Sequence, residues 1–184
     1  MKYTTLAFIM AASPLWAECP SSPDISQDLT GLIAEIQDAS NDAAAREISN
    51  QMWQLWLMAP DEAAQSVLDE GMRRRLSYDY LGAVEAYDRL VDYCPEYAEG
   101  YNQRAFIYFL QEQYDAALVD LDRALALSPR HVGAQSGRAL TLMKLGRIAE
   151  ARVQLRAALE NNPWLSERFL LMEGGPLAPV GEDI

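Results

Sequence analysis

Between Tyr114 and Pro129 the chain reads YDAALVDLDRALALSP. Ala117, Leu121, Ala124 and Leu125 fall three or four residues apart, with Asp and Arg between them. That spacing predicts an amphipathic helix with one apolar face. Pro129 ends it, because the residue before a proline is pushed out of α geometry. The same pattern stands thirty-four residues earlier as YLGAVEAYDRLVDYCP and thirty-four later as IAEARVQLRAALENNP.

The register holds well beyond the three prolines, Pro95, Pro129 and Pro163. Ala83, Ala117 and Ala151 align, as do Tyr87, Leu121 and Leu155, and Leu90, Ala124 and Ala158. Upstream in each unit the small residues Gly71, Ala105 and Ala139 align. Three units follow: 64–97, 98–131 and 132–165. Each reads as two helices, a first such as YNQRAFIYFL and a second ending at the proline, joined by a tight turn such as KLGRI with Gly146 as helix stop. Small residues on facing sides let the two helices approach closely. One pair cannot bury its own apolar surface, so the pairs must stack.

The ends extend the same logic. SQDLTGLIAEIQ places Leu29, Leu32, Ile33 and Ile36 on one face, and AAAREISNQMWQLWLMAP carries Ile48, Met52, Leu55 and Trp56. Residues 27–63 are therefore expected to form a divergent helix pair that continues the stack, with SND as cap of its second helix. Trp53 and Trp56 either pack against the first repeat or form an aromatic recognition patch. SERFLLME, in 166–173, is expected to be a short capping helix with Phe169 and Leu170 inward. Residues 174–184, rich in Gly and Pro, read as a flexible tail.

The residues of the units resemble the tetratricopeptide repeat. The middle unit shows that family's early aromatic (Tyr101), small Ala105, then Tyr108, Tyr114, Ala117, Leu121, Ala124 and Pro129. The third unit has Gln135 in place of the aromatic. The first is degenerate, with Val67 there and Arg74 at a further aromatic place. Arg104 and Arg138 depart from the family's Leu; they are read either as pairing with acids on neighbouring helices or as receiving a partner's carboxylate. PRHVGAQSGRAL adds a looser resemblance to small exported tetratricopeptide-repeat proteins of alpha-proteobacteria, to which no activity attaches. The resemblance implies an all-α, right-handed solenoid with an N-terminal helix pair and a C-terminal cap.

It also implies a concave groove lined by the first helices. Its expected residues are Leu68, Met72, Arg75, Asn102, Phe106, Phe109, Leu110, Leu140, Met143 and Lys144, with Gln65, Leu76, Glu99 and Ser136 beside them. The carboxylate clamp of this family needs Lys and Asn at fixed places in the first helices. Only Asn102 stands at one, so that ligand type is not expected.

The start of the chain changes where this solenoid is expected to work. Lys2, the apolar run LAFIMAA and the small Ala17 after PLW read as a secretory signal peptide, 1–17, cleaved after Ala17. The competing reading is an N-terminal membrane anchor. A lipoprotein is disfavoured because Glu18 precedes Cys19. The expected location is periplasmic or secreted, with no membrane insertion after signal removal. The segment 18–26 then leads into the fold. Cys19 and Cys94 remain, and in an exported protein they are expected to form a disulfide.

Charge and chemistry narrow the function. The whole chain carries a net charge of −12, and 11 acids against one base lie in residues 18–70. Such a surface repels phosphate backbones, so nucleic acid is not an expected partner. Either solubility or a basic partner accounts for the acidic third. The single His131 reads as a surface turn residue. No catalytic set, phosphate loop, metal-ligand spacing or cofactor motif is present, so no enzyme activity is expected. The expected function is a protein–protein interaction module that holds a peptide or protein segment in its groove. An accessory or assembly subunit of an envelope complex, acting through the acidic helix pair, is the alternative, and an enzyme a remote one.

Overall fold

The computed structural model describes residues 18–179. The signal peptide expected at 1–17 and the last tail residues, 180–184, lie outside the described residues. Among the described residues the order is α1 (Ser26–Gln37), α2 (Asp42–Trp56), α3 (Glu62–Leu76), α4 (Tyr80–Tyr93), α5 (Ala98–Leu110), α6 (Tyr114–Leu127), α7 (Val132–Lys144) and α8 (Ile148–Asn161), then a 3-10 turn, Ser166–Leu171. The architecture is an all-α solenoid.

The periodicity is repeated in atomic detail. The turns inside the three pairs place Tyr78, Glu112 and Gly146 at φ of +62°, +61° and +74°. Each turn closes with the same two bonds: Tyr78 N–H to Arg75 C=O and Asp79 N–H to Arg74 C=O, and their equivalents thirty-four and sixty-eight residues on. This left-handed stop satisfies the last carbonyls of the first helix. Gly146 takes the conformation freely. Tyr78 and Glu112 each bear roughly 1 kcal/mol of backbone strain for it.

Packing within each pair follows the aligned small residues. In the first pair a Cβ on Gly71 would overlap the Tyr87 ring. The middle and last pairs place Ala105 and Ala139 opposite the smaller Leu121 and Leu155. Size on one helix is thus matched by its absence on the other. Leu68, Leu90, Ile107, Leu142 and Leu155 are wholly buried, each contributing roughly 1.5–3 kcal/mol of burial.

The departures from the aromatic and leucine pattern are explained by polar substitutes. Tyr101 donates its hydroxyl to the Pro95 carbonyl, and Gln135 donates its amide to the Pro129 carbonyl from the equivalent place. Arg104 reaches Asp88 on α4 and Asp120 on α6; Arg138 reaches Asp122 on α6 and Gln154 on α8. Each arginine binds sixteen residues back and sixteen forward, so it rivets one second helix to the next. The hydrogen bonds that Arg104 donates to Asp120 raise its pKa further above the ordinary value. Both arginines are therefore committed within the fold.

The ends differ from expectation. α1 and α2 close on each other through Leu29, Ile33, Ile36, Ile48 and Met52, and then on Val132, Trp164 and Leu165 of the last repeat. Arg130 donates to Thr30, Gln37 to the Glu160 carbonyl and Asn162 to Ser49. The helix pair does not continue the stack before α3. It lies along the edge formed by the turns between repeats. The reason is on α3, whose exposed side carries Glu62, Ser66 and Arg73 and offers no apolar seat.

At the other end, 174–179 is not a loose tail. Leu177 is wholly buried among Leu142, Leu155 and Leu170, its N–H bonds the Leu170 carbonyl, and Arg152 donates to the carbonyls of Leu177 and Ala178. Phe169, expected inward, is instead exposed under the Arg168 guanidinium, while Leu170 packs inward. Cys19 and Cys94 are joined in a disulfide, with Cα atoms 5.2 Å apart.

Candidate functional site

The first helices α5 and α7 bound a recess of about 250 Å³. Phe106 and Phe109 of α5 and Leu140 of α7 line it, with Arg75, Asn102 and Ser136 at its margin. Ala105 and Gly137 keep its floor low, since neither puts bulk between the helices. Phe106 remains 43% exposed. The Arg75 guanidinium lies 5.3 Å from the Phe106 ring centre and within 3.4 Å of Gln103 Oε1. Phe109 meets Tyr114 edge to face at 5.5 Å.

Of the ten residues expected in the groove, the recess gathers Arg75, Asn102, Phe106, Phe109 and Leu140. Leu68 is wholly buried in the first repeat's core and faces no groove. Met72 and Met143 are half-buried, packed on the cores of the first and last repeats. Leu110 and Lys144 are exposed but stand outside the recess. Glu99 and Ser136, expected to be open to the groove, are both buried.

Two walls come from outside the repeats. Trp53 of α2 lies against Gly133, where a Cβ would come within 2.6 Å of its ring, and Glu167 comes from the 3-10 turn. Trp56 is buried and meets Trp53 edge to face at 5.4 Å. The two tryptophans therefore pack on the start of α7, neither on the first repeat nor as an open patch.

Beneath them is a polar cluster that contradicts the reading of His131 as a surface residue. His131 is wholly buried, and its ring stacks on Trp56 at 4.2 Å with 14° between planes. Its Nδ1 accepts the Ala134 N–H and so caps α7. The ring hydrogen is therefore on Nε2, which donates to Glu99 Oε2 at 2.7 Å. Asn102 and Gln103 donate to the same carboxylate. Tyr97, whose hydroxyl bonds the Trp56 carbonyl, is pushed well above its ordinary pKa by burial. The repeat alignment held the signal for this. His131 is equivalent to Tyr97 and Leu165, a place that faces inward in the other units too.

Residues 98–131 match the family model of the tetratricopeptide repeat. A TPR repeat-containing protein of Rhizobium etli is 26% identical over 153 residues, which cover 77% of this chain and 74% of that protein. Among solved structures, the TPR2B domain of yeast Sti1 in a pHsp70 complex superposes with a TM-score of 0.56 at 27% identity, covering 59% of this chain and 90% of that domain. The first TPR of Spaghetti (RPAP3), bound to the HSP90 peptide SRMEEVD, gives 0.58 at 23% identity, over 60% and 88%.

Residues 98–131 are a tetratricopeptide repeat, and the solenoid around them has the fold of that family. Asn102, the residue expected at a clamp position, has its amide turned inward onto Glu99. Arg104 and Arg138, at the family's Leu position, are held by ion pairs between second helices. Between α5 and α7 the array leaves the aromatic recess open.

Proposed function

We propose that this protein is a non-enzymatic interaction module that takes a bulky apolar side chain of a protein segment into the recess between α5 and α7. The observation that carries the reading is Phe106. The repeat's own packing is served by Ala105, Ile107 and Tyr108, yet Phe106 stays 43% exposed beside Phe109, Leu140 and Trp53. Aromatic anchors of that kind often carry ~2 kcal/mol or more of binding each. The pHsp70 complex of the Sti1 domain, at 27% identity, supports capture of a protein segment as the mode. With Asn102 committed to Glu99, the ligand chemistry differs from a carboxylate clamp.

The reading includes export. A disulfide between Cys19 and Cys94 fits an oxidising compartment, and Lys2, LAFIMAA and Ala17 fit a cleaved signal. We place the work of the protein in the periplasm or outside the cell. The alternative of an assembly subunit acting through an open tryptophan patch near Trp53 is disfavoured, because Trp56 is buried and Trp53 packs on Gly133.

The test is the pair Phe106→Ser and Phe109→Ser in the mature chain. Circular dichroism should show unchanged helix content, while capture of partners from periplasmic extract is lost. A double variant that unfolds makes these residues core. One that stays folded and still captures its partner puts the site elsewhere.

A further inference from the structure

The turn between α3 and α4 and the helix ends beside it carry the most exposed large apolar side chains of the described residues. Leu76 and Leu81 are each 74% exposed and Tyr78 is 81% exposed. They fall within six residues of sequence, at the edge opposite the N-terminal helix pair. A cluster of this kind on a monomer marks an interaction surface more often than scattered exposure does. Tyr78 adds a second observation. It holds φ +62°, the place where the last repeat uses Gly146. Its ring meets only Tyr80, edge to face at 6.2 Å, and is otherwise kept in solvent.

The charge around it is unlike the rest of the molecule. Arg73, Arg74 and Arg75 are consecutive at the end of α3. Arg74 is taken by Glu70 and Asp79. Among the described residues Arg73 and Arg75 have no carboxylate in ion-pairing distance, Arg75 meeting only Gln103 and the Phe106 ring. Arg73, exposed and without a carboxylate partner, precedes Leu76 by three residues, and Arg75 stands between this edge and the recess, in a chain whose net charge is −12. An acidic segment would be repelled by most of this surface and accepted here.

We infer that the Leu76–Tyr78–Leu81 edge is a second docking surface, and that it takes a protein segment carrying carboxylates among aliphatic or aromatic side chains. It is centred on Leu76, Tyr78 and Leu81, none of which lines the recess, and it meets the recess only at Arg75. An anionic lipid surface offers similar groups, but the net charge of the whole chain opposes approach to it.

The test uses the mature chain and three short fluorescein-labelled peptides in which Leu and Phe alternate with Glu, Gln or Lys. Anisotropy at low salt should show the Glu peptide binding about tenfold or more tighter than the Lys peptide. Tyr78→Gly and Arg73→Glu should each weaken it by about tenfold, Tyr78→Gly without lowering the melting temperature, because glycine suits that turn. Leu140→Ser, on the α7 side of the recess and away from Arg75, should leave the affinity within about twofold, which separates this surface from the recess. Equal binding of the Glu and Lys peptides overturns the inference, and so does binding indifferent to Tyr78→Gly. Sedimentation with phosphatidylglycerol vesicles that Tyr78→Gly abolishes would overturn it in favour of a membrane surface.

Discussion

Removing the Leu177 side chain should destabilise the whole array, although Leu177 lies in a stretch that reads as tail. Its side chain is wholly buried against Leu142, Leu155 and Leu170, the apolar end of the last repeat. Leu177→Ala loses the transfer energy of the removed atoms and leaves a cavity, together about 2–5 kcal/mol. At roughly 2–4 °C per kcal/mol for a chain of this size, a loss of ~3 kcal/mol lowers the melting temperature by about 6–12 °C. The backbone survives that substitution, so the Leu177 and Ala178 carbonyls still accept from Arg152. Truncation after Glu173 removes side chain and carbonyls together and returns the half-buried Arg152 guanidinium to water. It should cost more than Leu177→Ala by about 1–3 kcal/mol, the worth of hydrogen bonds to a charged donor. Differential scanning calorimetry of the two variants beside the parent measures both steps. If both melt with the parent, the segment is not docked and the last repeat is capped by the 3-10 turn alone.

Three further outcomes follow from other parts of the structure. Thiol counting on the unreduced, denatured mature protein should find none, and the double change Cys19→Ser, Cys94→Ser should cost up to about 4.5 kcal/mol for a closed loop of 75 residues; two free thiols would contradict the bond. His131→Ala leaves the buried Glu99 carboxylate without its imidazole donor and unstacks Trp56, so urea unfolding should show a loss of about 3–5 kcal/mol, whereas a surface histidine would show almost none. Asp61 accepts the Ala64 N–H at the start of α3 and the Tyr93 hydroxyl, which hold its pKa below the ordinary 3.8; its contribution is complete above about pH 4 and lost as pH falls through the lowered value, so Asp61→Asn should flatten the acid side of a plot of melting temperature against pH, and an unchanged acid limb would dismiss the assignment.

The sequence made the repeats legible because a solenoid writes the same physics at a fixed interval. Positions with one geometric duty, such as Ala83, Ala117 and Ala151, are constrained by contact inside the pair, so identity survives. Polar substitutes were harder to read. Gln135 does the work of Tyr101 on a proline carbonyl, and Arg104 replaces an apolar contact by two ion pairs. Residue type alone hides such equivalence. Glu99 and His131 were misplaced for a related reason. Each looks like a surface residue singly, and burial becomes acceptable only when the two meet. The recess was half legible: its α5 and α7 side comes from repeat positions, while Trp53 and Glu167 arrive from segments outside the period.

The position of the N-terminal helix pair gives the groove its shape, and charge explains that position. A repeat array needs a polar outer face at each end. Here the first repeat supplies its own, with Glu62, Ser66 and Arg73 exposed and Arg74 paired to Glu70 and Asp79 where an aromatic would otherwise seat a preceding helix. The degeneracy of that repeat is therefore a cap. The apolar faces of α1 and α2 then find their area elsewhere, on Val132, Trp164 and Leu165. Gly133 completes the seat by leaving room for Trp53. The consequence reaches the site. A groove that would run open along three first helices is closed at one end by α2 and the 3-10 turn. A recess of about 250 Å³ suits one large side chain better than a whole helix. The same arrangement leaves the turn at Tyr78 on the far edge, beyond the reach of any segment of α1 or α2.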